Sequence, residues 1–301
     1  MAVTTQSLLT RLAGFRAPGA EASLEELRAS YDALFARFGE APAGTDIAAA
    51  RLGPIAGEWV RTPASSPART ILYFHGGGYV AGSPESHRPL IARLAEAGEA
   101  RAFSVQYRLA PECPFPAAVR DGIDAYRHLI GANVPASSVV LSGDGAGGGL
   151  ALAVLLAVRN AGLAMPGCVA AMSPWADLSL SGWSMLRNRA SDTALSWESL
   201  FLCARHYLGK ANPCDAYASP AFASFKNFPP LMVHAGSAEL LRDDASKLGD
   251  RAAEAAIAVS VEIYDGLGHL FQGDAKHPDS LVSLARLGKF IRSRTQTSLS
   301  A

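Results

Sequence analysis

From about residue 65 onward, apolar residues come in short runs, each followed by a turn and then by a stretch whose apolar positions recur at helical spacing. The runs are Thr70–His75, Ala102–Tyr107, Ser138–Leu141, Cys168–Met172, Leu231–Ala235 and Val259–Tyr264. Most of them lack polar alternation, which predicts strands buried on both faces. Helices are predicted between them, at about 87–99, 116–131, 146–161, 242–257 and 279–294. Strand and helix therefore alternate, and the fold class this implies is α/β, with a mostly parallel central sheet flanked by helices.

Two segments fall outside that rhythm. Within residues 1–45, the stretch from Ser23 to Phe38 carries Leu24, Leu27, Tyr31, Leu34 and Phe35 at helical spacing, with Ser23 and Glu26 in capping-box order. Residues 180–215 form a second insertion, rich in Trp, Leu and Phe. Inserted helices with apolar faces need a surface to cover. The pair is expected to pack together as a helical cap over one end of the sheet, residues 1–45 as N-terminal cap helices and residues 46–301 as the core with a cap insertion at about 180–215. No Gly/Ser linker separates them from the core, so no large independent motion is expected.

Composition narrows the partners. The chain has 301 residues with 27 Lys+Arg against 27 Asp+Glu and no long basic run, which argues against a nucleic-acid partner. The N-terminus lacks a basic segment leading into an unbroken apolar one, so no secretory signal is read. Ala146 to Val158, the most apolar stretch, is too short to span a bilayer and is followed by Arg159 and Asn160. A buried helix is expected there, with no membrane span. Cys113, Cys168, Cys203 and Cys214 lie far apart with no CxxC pair, which suggests neither zinc nor redox chemistry. Buried reduced thiols and a cytoplasmic location are the expectation.

The chemistry concentrates in two glycine-rich turns. His75-Gly76-Gly77-Gly78-Tyr79 follows the run Ile71–Phe74, and successive glycines let backbone N–H groups converge on one point, as a developing oxyanion requires. Ser142-Gly143-Asp144-Gly145-Ala146-Gly147-Gly148 lies between a predicted strand and a predicted helix, the context of a G-x-S-x-G nucleophile elbow. The flanking glycines that permit the sharp turn are present. Its central position is Gly145, so the oxygen that would attack a carbonyl is missing.

These residues resemble the hormone-sensitive lipase family of α/β-hydrolase carboxylesterases. Its H-G-G-G and G-D-S-A-G-G motifs correspond to His75–Gly78 and Gly143–Gly148, the second with Gly for Ser. Further matches are Tyr107–Glu112 with Phe115–Ala117, Ser173–Trp175, Ser219-Pro220 and Phe228–Pro230, covering residues 65 to 295. The resemblance implies the acid in Glu239-Leu240-Leu241-Arg242-Asp243-Asp244, where Glu239 is the favoured residue and Asp243 the alternative. It implies oxyanion stabilisation by the N–H groups of Gly77, Gly78 and Ala146. Ala146 also fits on physical grounds, as the residue after the nucleophile position at a helix N-terminus.

His269 follows the last predicted strand on the loop Asp265-Gly266-Leu267-Gly268, and the order of nucleophile position, acid and histidine is that of this fold. His87, His128, His206, His234 and His277 are read as solvated or core residues, since none pairs at metal-ligand spacing. Trp175, Trp183, Trp197, Phe201 and Tyr207 suit either a substrate pocket or the core of the cap.

The implied activity is hydrolysis of short to medium acyl esters, lactones or aryl esters among them, by a Ser-His-Glu/Asp triad without metal or organic cofactor. The expected partner is a small-molecule ester, and a homodimer is common among related proteins. Gly145 cannot form an acyl-enzyme. Because every other part is intact, the glycine reads as an engineered replacement that disarms an esterase. The alternative is a natural loss, giving a small-molecule-binding protein on a hydrolase scaffold or an enzyme using a water held by His269.

Overall fold

Six runs, the last of them half-buried at the sheet edge, build the parallel part of one eight-stranded sheet in the computed structural model, which describes Arg28, Tyr31, Phe35 and residues 38–295. They are β3 (Ser66–Phe74), β4 (Ala100–Val105), β5 (Val139–Asp144), β6 (Cys168–Met172), β7 (Leu231–Gly236) and β8 (Val259–Tyr264). Two further strands, β1 (Asp46–Leu52) and β2 (Ile55–Arg61), precede them as an antiparallel hairpin, and the order is β1-β2-β4-β3-β5-β6-β7-β8. The hairpin did not announce itself in the sequence, because its first strand is built on Ala48, Ala49 and Ala50, which have weak strand preference. Its signal was the two-residue turn Gly53-Pro54 between the paired Leu52 and Ile55, with Gly53 at φ 58°.

Helices cover both faces of the sheet: α1 (Pro84–Gly98), α2 (Ala117–Gly131), α3 (Ala146–Asn160), α4 (Ser184–Arg187), α5 (Trp197–Leu208), α6 (Arg242–Glu254) and α7 (Pro278–Arg294). The first begins three residues ahead of its predicted start, because Ser83 caps it reciprocally with Ser86 and Pro84 occupies the first turn. His87 therefore sits one turn into the helix and is fully buried. The apolar stretch at Ala146 folds as α3, buried nearly all round. No helix among the described residues is long and apolar enough to cross a membrane.

The position of the site follows from strand order. β3 pairs with β4 on one side and with β5 on the other, so the chain reverses direction across the sheet at β3 and the loops leaving β3 and β5 diverge over a crevice. Both glycine-rich turns lie there. The insertion at 180–215 contains α4 and α5. Of the predicted helix from Ser23 to Phe38, only Arg28, Tyr31, Phe35 and Phe38 are described, the first three in helical conformation, and the remainder lies outside the described residues.

The thiols depart from expectation. Cys168 and Cys203 are buried, but Cys113 is half-buried and Cys214 exposed, and all are free. The aromatic group also divides. Trp175 and Tyr207 are buried, whereas Trp183 is 69% exposed and Phe201 43%, with Trp197 stacked on Phe201 at 5.1 Å.

Candidate active site

The elbow is the sharpest backbone feature. β5 ends at Asp144, α3 starts at Ala146, and Gly145 between them has φ 51° and ψ −121°, a conformation L side chains rarely adopt. Its N–H donates to the Met172 carbonyl at 3.0 Å, and its own carbonyl accepts from Trp175 N–H at 2.7 Å. The turn is thus fixed from β6 on both sides. A Cβ on Gly147 would collide with the Phe74 carbonyl, so glycine at that position lets the elbow lie directly against the end of β3.

Asp144 joins the two turns. One carboxylate oxygen accepts from the Tyr73 hydroxyl at 2.7 Å and from Gly76 N–H at 3.1 Å, while the other lies 3.3 Å from His87 Nε2. Hydrogen bonds and the neighbouring imidazoles overcome its burial and hold its pKa below the usual carboxylate range. His75 is pushed down to about 3 by burial, with the adjacent His87 ring adding to the effect, so it stays neutral. These contacts set the Gly76–Gly78 turn beside the elbow. Sequence reasoning passed over Asp144 as a motif residue; its clue was a carboxylate placed directly before the elbow, within a run destined for burial.

Gly77, Gly78, Gly145 and Ala146 all face one cavity of about 310 Å³. None of the N–H groups of Gly77, Gly78 and Ala146 donates to another backbone group among the described residues. Gly78 has φ 62°, and a Cβ there would come within 2.7 Å of Cys203 Sγ, so that wall closes tightly on the turn.

His269 and Glu239 meet. His269 Nδ1 is 2.9 Å from Glu239 Oε2, and the other Glu239 oxygen accepts from Gly236 N–H at 3.1 Å at the end of β7. Burial alone would lower the His269 pKa, but the Glu239 hydrogen bond and charge outweigh it and leave the imidazole above its ordinary value. Burial raises the Glu239 pKa, and the bond to His269 only partly offsets that. Asp243 is not brought to the histidine. Its carboxylate accepts from Ser184 N–H at 2.9 Å and from Arg242 at 2.7 Å.

The loop carrying Glu239 is held by the insertion, a role the sequence did not reveal. Asn188 donates to the Ser237 and Glu239 carbonyls at 2.9 and 2.7 Å, and the Asp192 carboxylate accepts from Leu240 N–H at 2.7 Å. Ser173 Oγ accepts from Leu270 N–H at 3.1 Å, which fixes the histidine loop from β6. Tyr31, Phe35 and Phe38 line the cavity together with Thr193, Leu195, Leu200 and Cys203. Of the five aromatic residues weighed from the sequence, Trp175 alone lines this cavity among the described residues.

The sequence profile of a family with the α/β hydrolase fold matches residues 71–273, more than half of the chain. A solved esterase of the bacterial hormone-sensitive lipase family superposes with a TM-score of 0.90 at 33% identity, covering 98% of this chain and 100% of that one. This chain belongs to the hormone-sensitive lipase family of α/β hydrolases. Among curated relatives of this hydrolase, an acetyl-hydrolase of Streptomyces hygroscopicus is 38% identical over 275 residues, 90% of this chain and 91% of that protein. An esterase of Acinetobacter venetianus is 34% identical over 269 residues, 89% and 88% of the two chains. The two curated relatives are named an acetyl-hydrolase and an esterase, and carboxylic ester hydrolysis is the activity they support.

Proposed function

We propose that this chain is a serine-type carboxylesterase in which glycine has replaced the nucleophile at position 145. One observation carries the reading. A Cβ built on Gly145 lies 3.4 Å from His269 Nε2, with no clash, at the only elbow facing Gly77, Gly78 and Ala146 among the described residues. A serine there would aim its hydroxyl at the imidazole across ordinary van der Waals space. Its φ would be strained at a cost of about 1–3 kcal/mol, as is common where function fixes the backbone.

With Ser at 145, His269 Nε2 takes the hydroxyl proton as the oxygen attacks the ester carbonyl. Glu239 accepts from His269 Nδ1–H, sets the tautomer with Nε2 unprotonated, and stabilises the imidazolium. The carbonyl oxygen becomes an anion held by the N–H groups of Gly77, Gly78 and Ala146, with the helix dipole of α3 behind the last. The imidazolium returns its proton to the leaving alcohol, and water repeats the cycle on the acyl-enzyme. Base, orienting acid and anion donors are all side chains or backbone of this chain, so the cycle calls for no cofactor.

Substrates follow from the walls. The cavity is mostly apolar and small, which suits esters of short to medium acyl chains, lactones and aryl esters included. Tyr31, Phe35 and Phe38 of the N-terminal segment and Thr193, Leu195, Leu200 and Cys203 of the insertion act as the cap, since they line that cavity. A protein that only binds ligands has no chemical need for a buried carboxylate paired with a histidine, and this weighs against the binding alternative.

Covalent labelling tests the assignment. After treatment with phenylmethanesulfonyl fluoride, the Gly145→Ser variant is expected to gain the mass of one sulfonyl group, and the unsubstituted chain none. Failure of the folded variant to label, or equal labelling of both, overturns the proposal.

A further inference from the structure

We propose that this chain, with Gly145 as it stands, transfers the acyl group of a bound ester directly to a small external hydroxylic molecule held by His269, water or a short primary alcohol such as methanol. The proposal rests on the esterase reading of the site and adds a direct route, without an acyl-enzyme, that a serine filling the space beside Gly145 would exclude.

The space beside Gly145 carries the argument. The nearest atoms to a Cβ built there are His269 Nε2 at 3.4 Å, His269 Cε1 at 3.6 Å and Gly76 Cα at 4.0 Å. Without a side chain, an oxygen atom can lie against Gly145 within hydrogen-bonding reach of Nε2 and still face the N–H groups of Gly77, Gly78 and Ala146 across the cavity. The glycine also sets a size limit. The freed room is about that of a hydroxymethyl group, with the imidazole on one side and the Gly76 backbone on another. A short primary alcohol fits that room and attacks a carbonyl readily, whereas a tertiary alcohol is hindered at its own carbinol carbon.

The base is already prepared. Glu239 engages His269 Nδ1, so in the neutral imidazole the unprotonated nitrogen is Nε2, the one beside Gly145. Ser173 and Gly236 hold the two loops without reference to residue 145, so this geometry does not depend on a serine.

The step balances with the alcohol as co-reactant. The alcohol oxygen forms a bond to the ester carbonyl carbon as His269 Nε2 takes its proton, and the carbonyl electron pair moves to the oxygen held by the N–H groups. When that pair returns, the bond to the original alkoxy group breaks, and His269 gives the proton to the leaving oxygen. The products are the new ester and the original alcohol, or the carboxylic acid where water attacks. No covalent bond to the protein forms.

The test measures nitrophenol release from nitrophenyl butyrate by this chain as methanol is raised, with equal volumes of tert-butanol as the solvent control. Release is expected to rise in proportion to methanol and roughly to double by about 1 M, at a rate about 10⁵-fold or more below Gly145→Ser, since a tethered hydroxyl has that effective-molarity advantage. Methyl butyrate, measured by gas chromatography, should account for the increase. The increase should survive phenylmethanesulfonyl fluoride and disappear in His269→Ala. A rise no greater than with tert-butanol overturns the proposal, as does one abolished by the sulfonyl fluoride, which would reveal a trace of serine-bearing enzyme. Gly145→Ser assayed alongside separates the two claims: an active variant with no methanol effect in the parent sinks only this inference, whereas an inactive variant sinks the esterase reading.

Discussion

In a Gly145→Ser background, His269→Ala is expected to lower kcat for a short nitrophenyl ester by about 10⁶, as loss of the base in serine hydrolases does. The magnitude reflects two duties of one imidazole, taking the serine proton during attack and protonating the leaving oxygen. No second base stands by among the described residues. His75 and His87 are also buried near the elbow, but His75 is engaged with the Gly76 carbonyl at 2.7 Å and His87 with Ser86 and Asp144. Circular dichroism should show the variant folded, because His269 lies on a loop whose backbone is held by Ser173. A loss of under about tenfold would mean that another group performs the proton transfer.

Glu239→Gln in the same background is expected to lower kcat by about 10⁴, and Asp243→Asn to leave it within about threefold. A glutamine keeps the shape but no longer fixes the tautomer with a free Nε2, and it removes the charge that stabilises the imidazolium. Asp243 binds the start of α4 through Ser184 and does not reach the imidazole, so its change bears on the cap instead. Stability should move the other way from activity at Glu239. A fully buried carboxylate pays a desolvation penalty. The glutamine variant should therefore melt at the same temperature or higher while losing turnover. Equal losses at both positions would reassign the acid.

The parallel sheet was legible because its strands are continuous apolar runs and its helices keep a regular period; Cys168–Met172 and Val259–Tyr264 have the bounds read from sequence. The hairpin before them was not, since alanines carry little strand preference and its two-residue turn was the main mark. At the site, the glycines, Glu239 and His269 were readable because each sits where a strand ends in a turn. Asp144, Ser173, Asn188 and Asp192 were not, because they act by holding backbone that is remote in sequence. Asn188, for example, meets Glu239 across 51 residues, and only the folded chain brings them together.

The most direct measurement is the steady-state hydrolysis of nitrophenyl butyrate by this chain and by Gly145→Ser under identical conditions. If position 145 lacks only its oxygen, the variant gains about 10⁵–10⁶ in kcat over the parent. A correctly folded Gly145→Ser protein that gains less than about tenfold would contradict the account.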